Sequence, residues 1–234
     1  MVVDLGDGVR AAFTTRACGD MRADRALVER WAGGPVAFAT QVHGADVVVV
    51  EQGSTAVGEC DALVSASGAG VGVLVADCVP VLLSDPQAGV VGAVHAGRRG
   101  LAGGVVQAAL AVMIASGARP ERVRAAIGPA ICGECYEVPA ALRDEVAGVV
   151  PATWATTPAG TAALDLPAGV AALLAAAGVR HVARIAICTR TDERFFSYRR
   201  APRDGYAAGR FAGVIRWVNP RPGRVGGRSL PGDC

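Results

Sequence analysis

The sequence predicts an α/β fold, a layered sandwich of helices around a mixed β-sheet. Apolar runs of strand length alternate along the chain with longer helical segments, and Gly, Pro or Asp bounds most of them. The composition supports the same class. With 52% hydrophobic residues, only 5% aromatics and 31 glycines, the core must consist of small and β-branched side chains packed closely.

The elements of the first half are predicted from apolar runs and the breaks between them. A short helix over residues 24–32 ends at the Gly33-Gly34-Pro35 break. Strands follow, and two of them are separated only by Asp77-Cys78. The predicted strands are 36–40, 47–50, 71–76, 79–83 and 90–95.

In the second half, helices are recognised by their Ala-rich and Leu-rich composition and by a following glycine. Residues 101–115 predict a helix with Gly117 behind it, and residues 167–177 predict one that ends at Gly178. The remaining predictions are a helix over 139–149 and strands over 123–127 and 184–188.

We expect residues 1–218 to form a single catalytic domain. Residues 219–234 contain three Pro and four Gly without apolar periodicity, so a disordered tail is predicted there.

Charge and hydropathy exclude several function classes. A net charge of +2 provides no field for nonspecific nucleic-acid binding. No secretory signal is recognised, and the apolar run 71–83 is interrupted by Asp77 and too short to cross a bilayer. We therefore expect a cytoplasmic protein with no membrane or nucleic-acid partner. The seven irregularly spaced cysteines are expected to be thiols.

Two of the three histidines stand beside glycine after apolar strands, where loops carry function. His43 lies in QVHG and His95 in VHAG, with Cys78 between them at the break of an apolar run. Two imidazoles and a thiolate suit zinc or copper. Taken alone, each residue is better explained by a place in the core, and the spacing matches no compact zinc finger.

Eight strings carry a resemblance to a known family. They are TTR (14–16), QVHG (41–44), DALVS (61–65), ADCVPVLL (76–83), AVHAG (93–97), IGPAI (127–131), CYEV (135–138) and FFSYRR (195–200). Together they resemble the laccase-domain family, which has been described as polyphenol oxidases and also as purine nucleoside phosphorylases, with peptidoglycan-editing relatives.

The resemblance implies a zinc site, with copper as the alternative, formed by His43, Cys78 and His95. It implies phosphorolysis of inosine, adenosine and methylthioadenosine, deamination of adenosine, and a fold akin to toxin deamidases. Purine nucleosides and phosphate are then the partners. Three protein ligands leave a position for water or substrate, so we expect a catalytic rather than a structural metal.

Further site residues are assigned by the same matching. Arg16 and Arg99 are candidates for binding phosphate, with Gln41 as a further substrate-binding residue. Asp77 is a candidate catalytic residue beside Cys78, although an Asp at a strand end more often caps backbone amides.

The chain departs from the family pattern at two places, and alternatives stay open. The loop after Arg16 is shortened, and Arg98 replaces the usual Trp, which leaves the ligand preference open. One alternative is an amidase that edits cell-wall precursors such as a serine-bearing muramyl nucleotide, with Cys78 as nucleophile and His95 as base. Another is a ligand-binding relative with reduced catalysis. An oxidase is disfavoured because multicopper oxidases need more than three histidines.

Three other cysteines are not assigned to a site. Cys132-Gly133-Glu134-Cys135 resembles half a zinc knuckle, but a second pair is missing, so coincidence is favoured. Cys188 is interpreted as a buried structural thiol.

Overall fold

The computed structural model describes residues 1–205 and 209–218, and the predicted tail over 219–234 lies outside the described residues. The fold is α/β, as predicted, with two mixed six-stranded sheets packed face to face and helices on both outer surfaces. No described helix is long and apolar enough to cross a bilayer.

The first sheet brings strands from both ends of the chain together, so its assembly depends on distant pairing. Its central strand, Phe211–Trp217, lies antiparallel to both neighbours. From edge to edge its strands are β1 (Val2–Val3), β2 (Val9–Phe13), β14 (Phe211–Trp217), β7 (Gly70–Val75), β3 (Val36–Thr40) and β5 (Ala56–Glu59).

The second sheet contains the most continuous apolar runs. From edge to edge its strands are β13 (His181–Arg184), β10 (Arg124–Ile127), β8 (Val79–Asp85), β9 (Val90–Ala96), β6 (Ala62–Ser65) and β4 (Val47–Val49). A separate hairpin joins β11 (Trp154–Thr156) and β12 (Ala162–Leu164). In β9, Val91 and Ala93 face the first sheet, whereas Val90 and Val94 face the helices. Burial on both faces explains why this strand reads as one apolar run.

The helices cover the two outer surfaces. Helix α1 (Ala26–Ala32) packs on the first sheet through Val28 and Trp31. The second sheet is covered mainly by α3 (Val105–Ala115) and α5 (Leu166–Ala176), which contribute side chains such as Leu110 and Val170. The other described helices are α2 (Arg98–Ala102), α4 (Ala140–Val149) and α6 (Ala201–Asp204).

Two element predictions are wrong. The helix predicted over 101–115 is two helices, α2 and α3, because Gly104 has a φ of 89°, which interrupts the helical conformation between them. The strand predicted over 184–188 instead occupies His181–Arg184, where it pairs in parallel with β10. Cys188 forms only an isolated bridge with Ala130.

The chain crosses between the two sheets twice at places that matter for function. One crossing lies between β3 and β4 and contains His43. The other lies between β7 and β8 and consists of Ala76, Asp77 and Cys78. Two of the segments that join the sheets therefore carry His43 and Cys78, and the third predicted ligand, His95, lies in β9.

Candidate metal centre

Three predicted ligands converge at the two crossings. The ligand atoms of His43, Cys78 and His95 all lie within 4.8 Å of one another. The Cys78 Sγ lies 3.8 Å from the His43 Nε2, and the two imidazole rings meet edge to face at 4.8 Å. A tetrahedral zinc with Zn–S of about 2.3 Å and Zn–N of about 2.0 Å holds S and N ligands about 3.5 Å apart. The donor set and its spacing therefore fit a metal of this kind.

Unusual backbone geometry brings the ligands together. His43 has a φ of 62° and Asp77 a φ of 83°, both in the left-handed region that side chains other than Gly seldom adopt. A Cβ on Gly97 would lie 2.7 Å from the His43 Cδ2 and 3.3 Å from the Cys78 Sγ. Glycine at position 97 therefore makes room for two of the three ligands.

Asp61, just before β6, bonds to two of the ligand-bearing segments on the side away from the pocket. Its Oδ1 lies 2.7 Å from the His95 Nδ1, and both residues are buried. The same carboxylate accepts hydrogen bonds from the backbone amides of Val42, His43 and Gly44 at 2.7–3.1 Å. Asp61 thus fixes the crossing that bears His43 and leaves the Nε2 of His95 to face the thiol.

The site is electrostatically poised. Burial acts to raise the pKa of Cys78, but hydrogen bonds with His43 and His95 outweigh it and lower that pKa to about 6. Burial acts to lower the pKa of His95, but its hydrogen bonds to Asp61 and Cys78 raise it to about 9. Without a metal, the buried pair is therefore a thiolate beside an imidazolium at neutral pH.

A pocket of about 730 Å³ opens over the three ligands, with cations and two tyrosines on its walls. This volume lies in the range of about 300–1,000 Å³ that is typical of small-molecule sites. The polar and aromatic residues lining the pocket beside the ligands include Arg22, Arg98, Arg99, Arg199, Arg210, Tyr136 and Tyr198. Such a surface suits an anionic group together with a flat ring.

The other predicted site residues are placed differently. Arg99 lines the pocket and donates to the Val42 carbonyl at 2.6 Å. Gln41 also lines it, but its side-chain amide exchanges two hydrogen bonds with the backbone of Leu74. Arg16 is not among the residues that line this pocket, and its guanidinium donates to the Glu193 carbonyl at 3.3 Å.

Asp77 lines the pocket, yet its carboxylate is bonded to the protein. Oδ1 accepts from the Thr189 hydroxyl at 2.6 Å, and Oδ2 accepts from the Arg199 amide at 2.7 Å. Its carbonyl also accepts from the amide of Ile131. Asp77 therefore ties distant chain segments together beside Cys78, and its carboxylate caps no neighbouring amide among the described contacts.

Sequence reasoning missed several of these residues. Asp61 stands in DALVS directly before a strand whose four residues are all buried, and a carboxylate in such a place needs partners. Tyr136 and Arg199 stand in the CYEV and FFSYRR strings without having been singled out. Arg22 and Arg210 lie outside all eight strings, so no local signal could have found them.

The cysteines are mostly, but not all, the thiols that were expected. Cys60, Cys78, Cys132, Cys135 and Cys188 are free. Cys18 is disulfide-bonded, so the expectation of thiols throughout is wrong there.

Fold and site together define a class: an α/β protein of two packed sheets with a His, Cys, His site, competent to bind metal, at the sheet crossings. The family model described as multi-copper polyphenol oxidoreductase laccase matches residues 14–218. The chain belongs to this laccase-like family, as the sequence strings predicted.

Proteins similar to this chain carry nucleoside-processing names. Purine nucleoside phosphorylase ORF3 of Streptomyces griseus is 52% identical over 188 residues, which is 79% of this chain and 74% of that protein. Adenosine deaminase RL5, from an unknown prokaryotic organism, is 38% identical over 71% of this chain and 66% of its own length.

Solved structures have the same fold. Protein NMB0706 of Neisseria meningitidis superposes with a TM-score of 0.79 at 33% identity, covering 94% of this chain and 99% of that one. YlmD from Geobacillus stearothermophilus gives a TM-score of 0.78 at 31% identity, covering 91% of this chain and 93% of its own.

Proposed function

We propose that this protein is a metal-dependent purine nucleoside phosphorylase that acts on inosine, adenosine and methylthioadenosine and also deaminates adenosine. The observation that carries the proposal is a three-ligand metal site at the foot of an open pocket lined by arginines. The names of the phosphorylase and deaminase relatives support the same activities. We further propose that residues 1–218 act as one catalytic domain.

His43, Cys78 and His95 would hold the ion, for which we propose zinc, with copper as the alternative. Two imidazoles and one thiolate are borderline-soft donors that suit zinc. Copper is named in the family description, but the sequence has three histidines in all, fewer than multicopper oxidation needs. When bound, such an ion supplies a Lewis acid beside the substrate.

The arginines of the pocket would bind the second substrate, phosphate. Arg98 and Arg99 open α2 directly after the Gly97 that contacts the ligands, so their side chains enter the pocket beside the metal site. Arg199 approaches from another segment and lies over the Tyr136 ring at 5.3 Å. These cations can hold phosphate against the anomeric carbon of the sugar and neutralise charge as the purine leaves.

Two tyrosines and the hydrogen-bonded pair of His95 and Asp61 would bind and orient the nucleoside. Tyr136 is half-buried and Tyr198 is exposed on the pocket wall, so each offers an aromatic face to a purine. Asp61 holds a proton on the Nδ1 of His95, which leaves the Nε2 facing the pocket. His95 is thereby oriented as a metal ligand through its Nε2.

Turnover of inosine with phosphate tests the proposal directly. Zinc-loaded protein should release hypoxanthine only when phosphate is present, and it should convert adenosine to inosine without phosphate. Cys78→Ala should abolish both reactions and lower zinc content. The matched control is Cys60→Ala, which truncates a buried free cysteine outside the site and should keep both. A Cys78→Ala protein with full turnover would contradict the proposal.

A second candidate is favoured by one observation, the lowered pKa of Cys78 beside the His95–Asp61 pair. These three residues resemble the nucleophile, base and orienting acid of a cysteine amidase. Hydrolysis of a serine-bearing muramyl nucleotide by zinc-free protein that retains Cys78 would favour this candidate. A nucleoside-induced rise in melting temperature without product would indicate a ligand-binding relative.

A further inference from the structure

A second group of thiols converges beside the pocket, on the side away from β9. Cys132 and Cys135 lie in the turn after β10, and Cys188 follows β13. The three sulfur atoms lie within 4.8 Å of one another, and each residue is half-buried. Cys132 and Cys135, which have no second Cys pair in the sequence, are therefore joined in the fold by a third thiol, Cys188.

The backbone around these thiols is arranged to receive a charged sulfur. The amide of Cys132 donates to the Cys188 Sγ at 3.5 Å, and the amides of Arg190 and Thr191 also lie near that sulfur. Backbone N–H groups directed at sulfur stabilise thiolates, as at structural metal sites.

The turn itself is tightly held. The amides of Cys135 and Tyr136 both donate to the Cys132 carbonyl, at 3.0 and 2.9 Å. A Cβ on Gly133 would lie 2.9 Å from the Cβ of Asp165, so only glycine lets the turn sit this close to the start of α5. Two of the three sulfurs are thus placed before any ion arrives.

Three thiolates so close together repel one another, so they can all ionise only around a cation. The nearest fixed cation is Arg190, whose guanidinium donates to the Cys135 carbonyl at 3.2 Å. A cation bound among the sulfurs would offset this repulsion. Tetrahedral Zn–S bonds of about 2.3 Å place the sulfur atoms about 3.8 Å apart, which is within the spread of this cluster.

We propose that Cys132, Cys135 and Cys188 form a second metal site, which takes a thiophilic divalent cation of the zinc class with water in the fourth position. The site lies apart from His43, Cys78 and His95, and it does not depend on the proposed catalytic activity. Binding displaces the thiol protons, which pass to solvent.

The second site acts as a clamp on one wall of the pocket. Ile131 and Tyr136, which flank the Cys132–Cys135 turn, both line the pocket. On the other side, Thr189 follows Cys188 and bonds the Asp77 carboxylate. An ion that joins the turn to Cys188 therefore fixes the two segments on which Asp77 is anchored.

Zinc stoichiometry separates the two sites. The full-length protein is reduced, stripped with a chelator, reloaded with Zn²⁺ and desalted without oxygen, and metal is measured by mass spectrometry. We expect about two zinc ions per chain for the wild type and for Cys60→Ala, about one for Cys132→Ser or Cys78→Ser, and none for the double variant. Cys135→Ser, at a half-exposed position, replaces Cys132→Ser if that protein fails to fold.

Cobalt identifies the ligands. Co²⁺ loaded into Cys78→Ser should still give a thiolate-to-cobalt charge-transfer band, which the added Cys132→Ser change should weaken or abolish. One zinc per wild-type chain with none in Cys78→Ser would overturn the proposal while leaving the proposed function intact. A Cys132–Cys135 disulfide in protein prepared without reductant, with no second zinc after reduction, would overturn it in favour of a redox pair.

Discussion

Zinc affinity should depend on pH through one identified proton. In the metal-free site, the pKa of Cys78 is lowered to about 6 and that of His95 is raised to about 9. Between pH 7 and 9, the thiol is therefore already a thiolate, while the imidazole is still an imidazolium with protons on both nitrogens. A metal needs a free Nε2, so binding in this window must displace the Nε2 proton of His95, while the Nδ1 proton stays with Asp61.

The size of the effect follows from the number of protons displaced. One proton per zinc ion weakens the apparent affinity about tenfold for each unit by which pH falls below the pKa of His95. Because His95 is already half protonated at pH 9, the loss from pH 9 to pH 7 is about fiftyfold, or about 2.3 kcal/mol of binding free energy. The sign is fixed, because a raised imidazole pKa favours the proton over the metal at lower pH.

Competition with a chromophoric chelator measures this slope, once the protonation of the chelator itself is corrected for. The parent protein for this assay carries Cys132→Ser, so that zinc binds only at His43, Cys78 and His95. Asp61→Asn in this background is the informative variant, because it removes the charge that stabilises the imidazolium of His95 and should flatten the slope between pH 7 and 9. Parent affinity that does not change over this window would refute the reasoning, as would an unchanged slope with Asp61→Asn.

Three further outcomes are expected. Gly97→Ala should lower zinc content and turnover, since the added Cβ would meet His43, whereas Gly148→Ala, with open space at its Cβ, should leave both unchanged in the same assays. Arg98→Trp should raise turnover of neutral nucleosides relative to anionic ligands, measured as a ratio of kcat/KM values, and an unchanged ratio would remove Arg98 from the site. Asp61→Asn and Asp85→Asn should each lower the free energy of unfolding by about 3 kcal/mol in urea, since both buried carboxylates accept several hydrogen bonds. Only the first should weaken zinc binding, by about 10–100-fold, and equal zinc retention would contradict the role given to Asp61.

The parts of the fold that could be predicted are those with a strong local signal. The strands predicted over 79–83 and 90–95 are found as Val79–Asp85 and Val90–Ala96, and the helix predicted over 139–149 as Ala140–Val149. The two strands are apolar on both faces and the helix lies between Pro139 and Pro151, so their pattern does not depend on distant partners.

Two of the strands that were not predicted depend on distant partners. Val9–Phe13 and Phe211–Trp217 pair across the whole length of the chain, and the second contains Ala212 and Gly213, which have low β propensity. A Cβ on Gly213 would lie 3.0 Å from the Phe13 ring, so the residue that weakens the local signal is the one that permits the pairing. No window on either strand alone contains this information.

The geometry of the candidate site cannot be predicted from local sequence for a related reason. Residue type and family strings select His43 and Cys78, but the backbone that unites them has positive φ at His43 and at Asp77, which local preference disfavours. Such a conformation persists only where the surroundings enforce it, and here Asp61 bonds three successive amides on one crossing while Asp77 is anchored to two other segments. The ligands are therefore placed by two buried carboxylates that bind no metal themselves. The motif strings contain both carboxylates, but their role depends on contacts between distant segments.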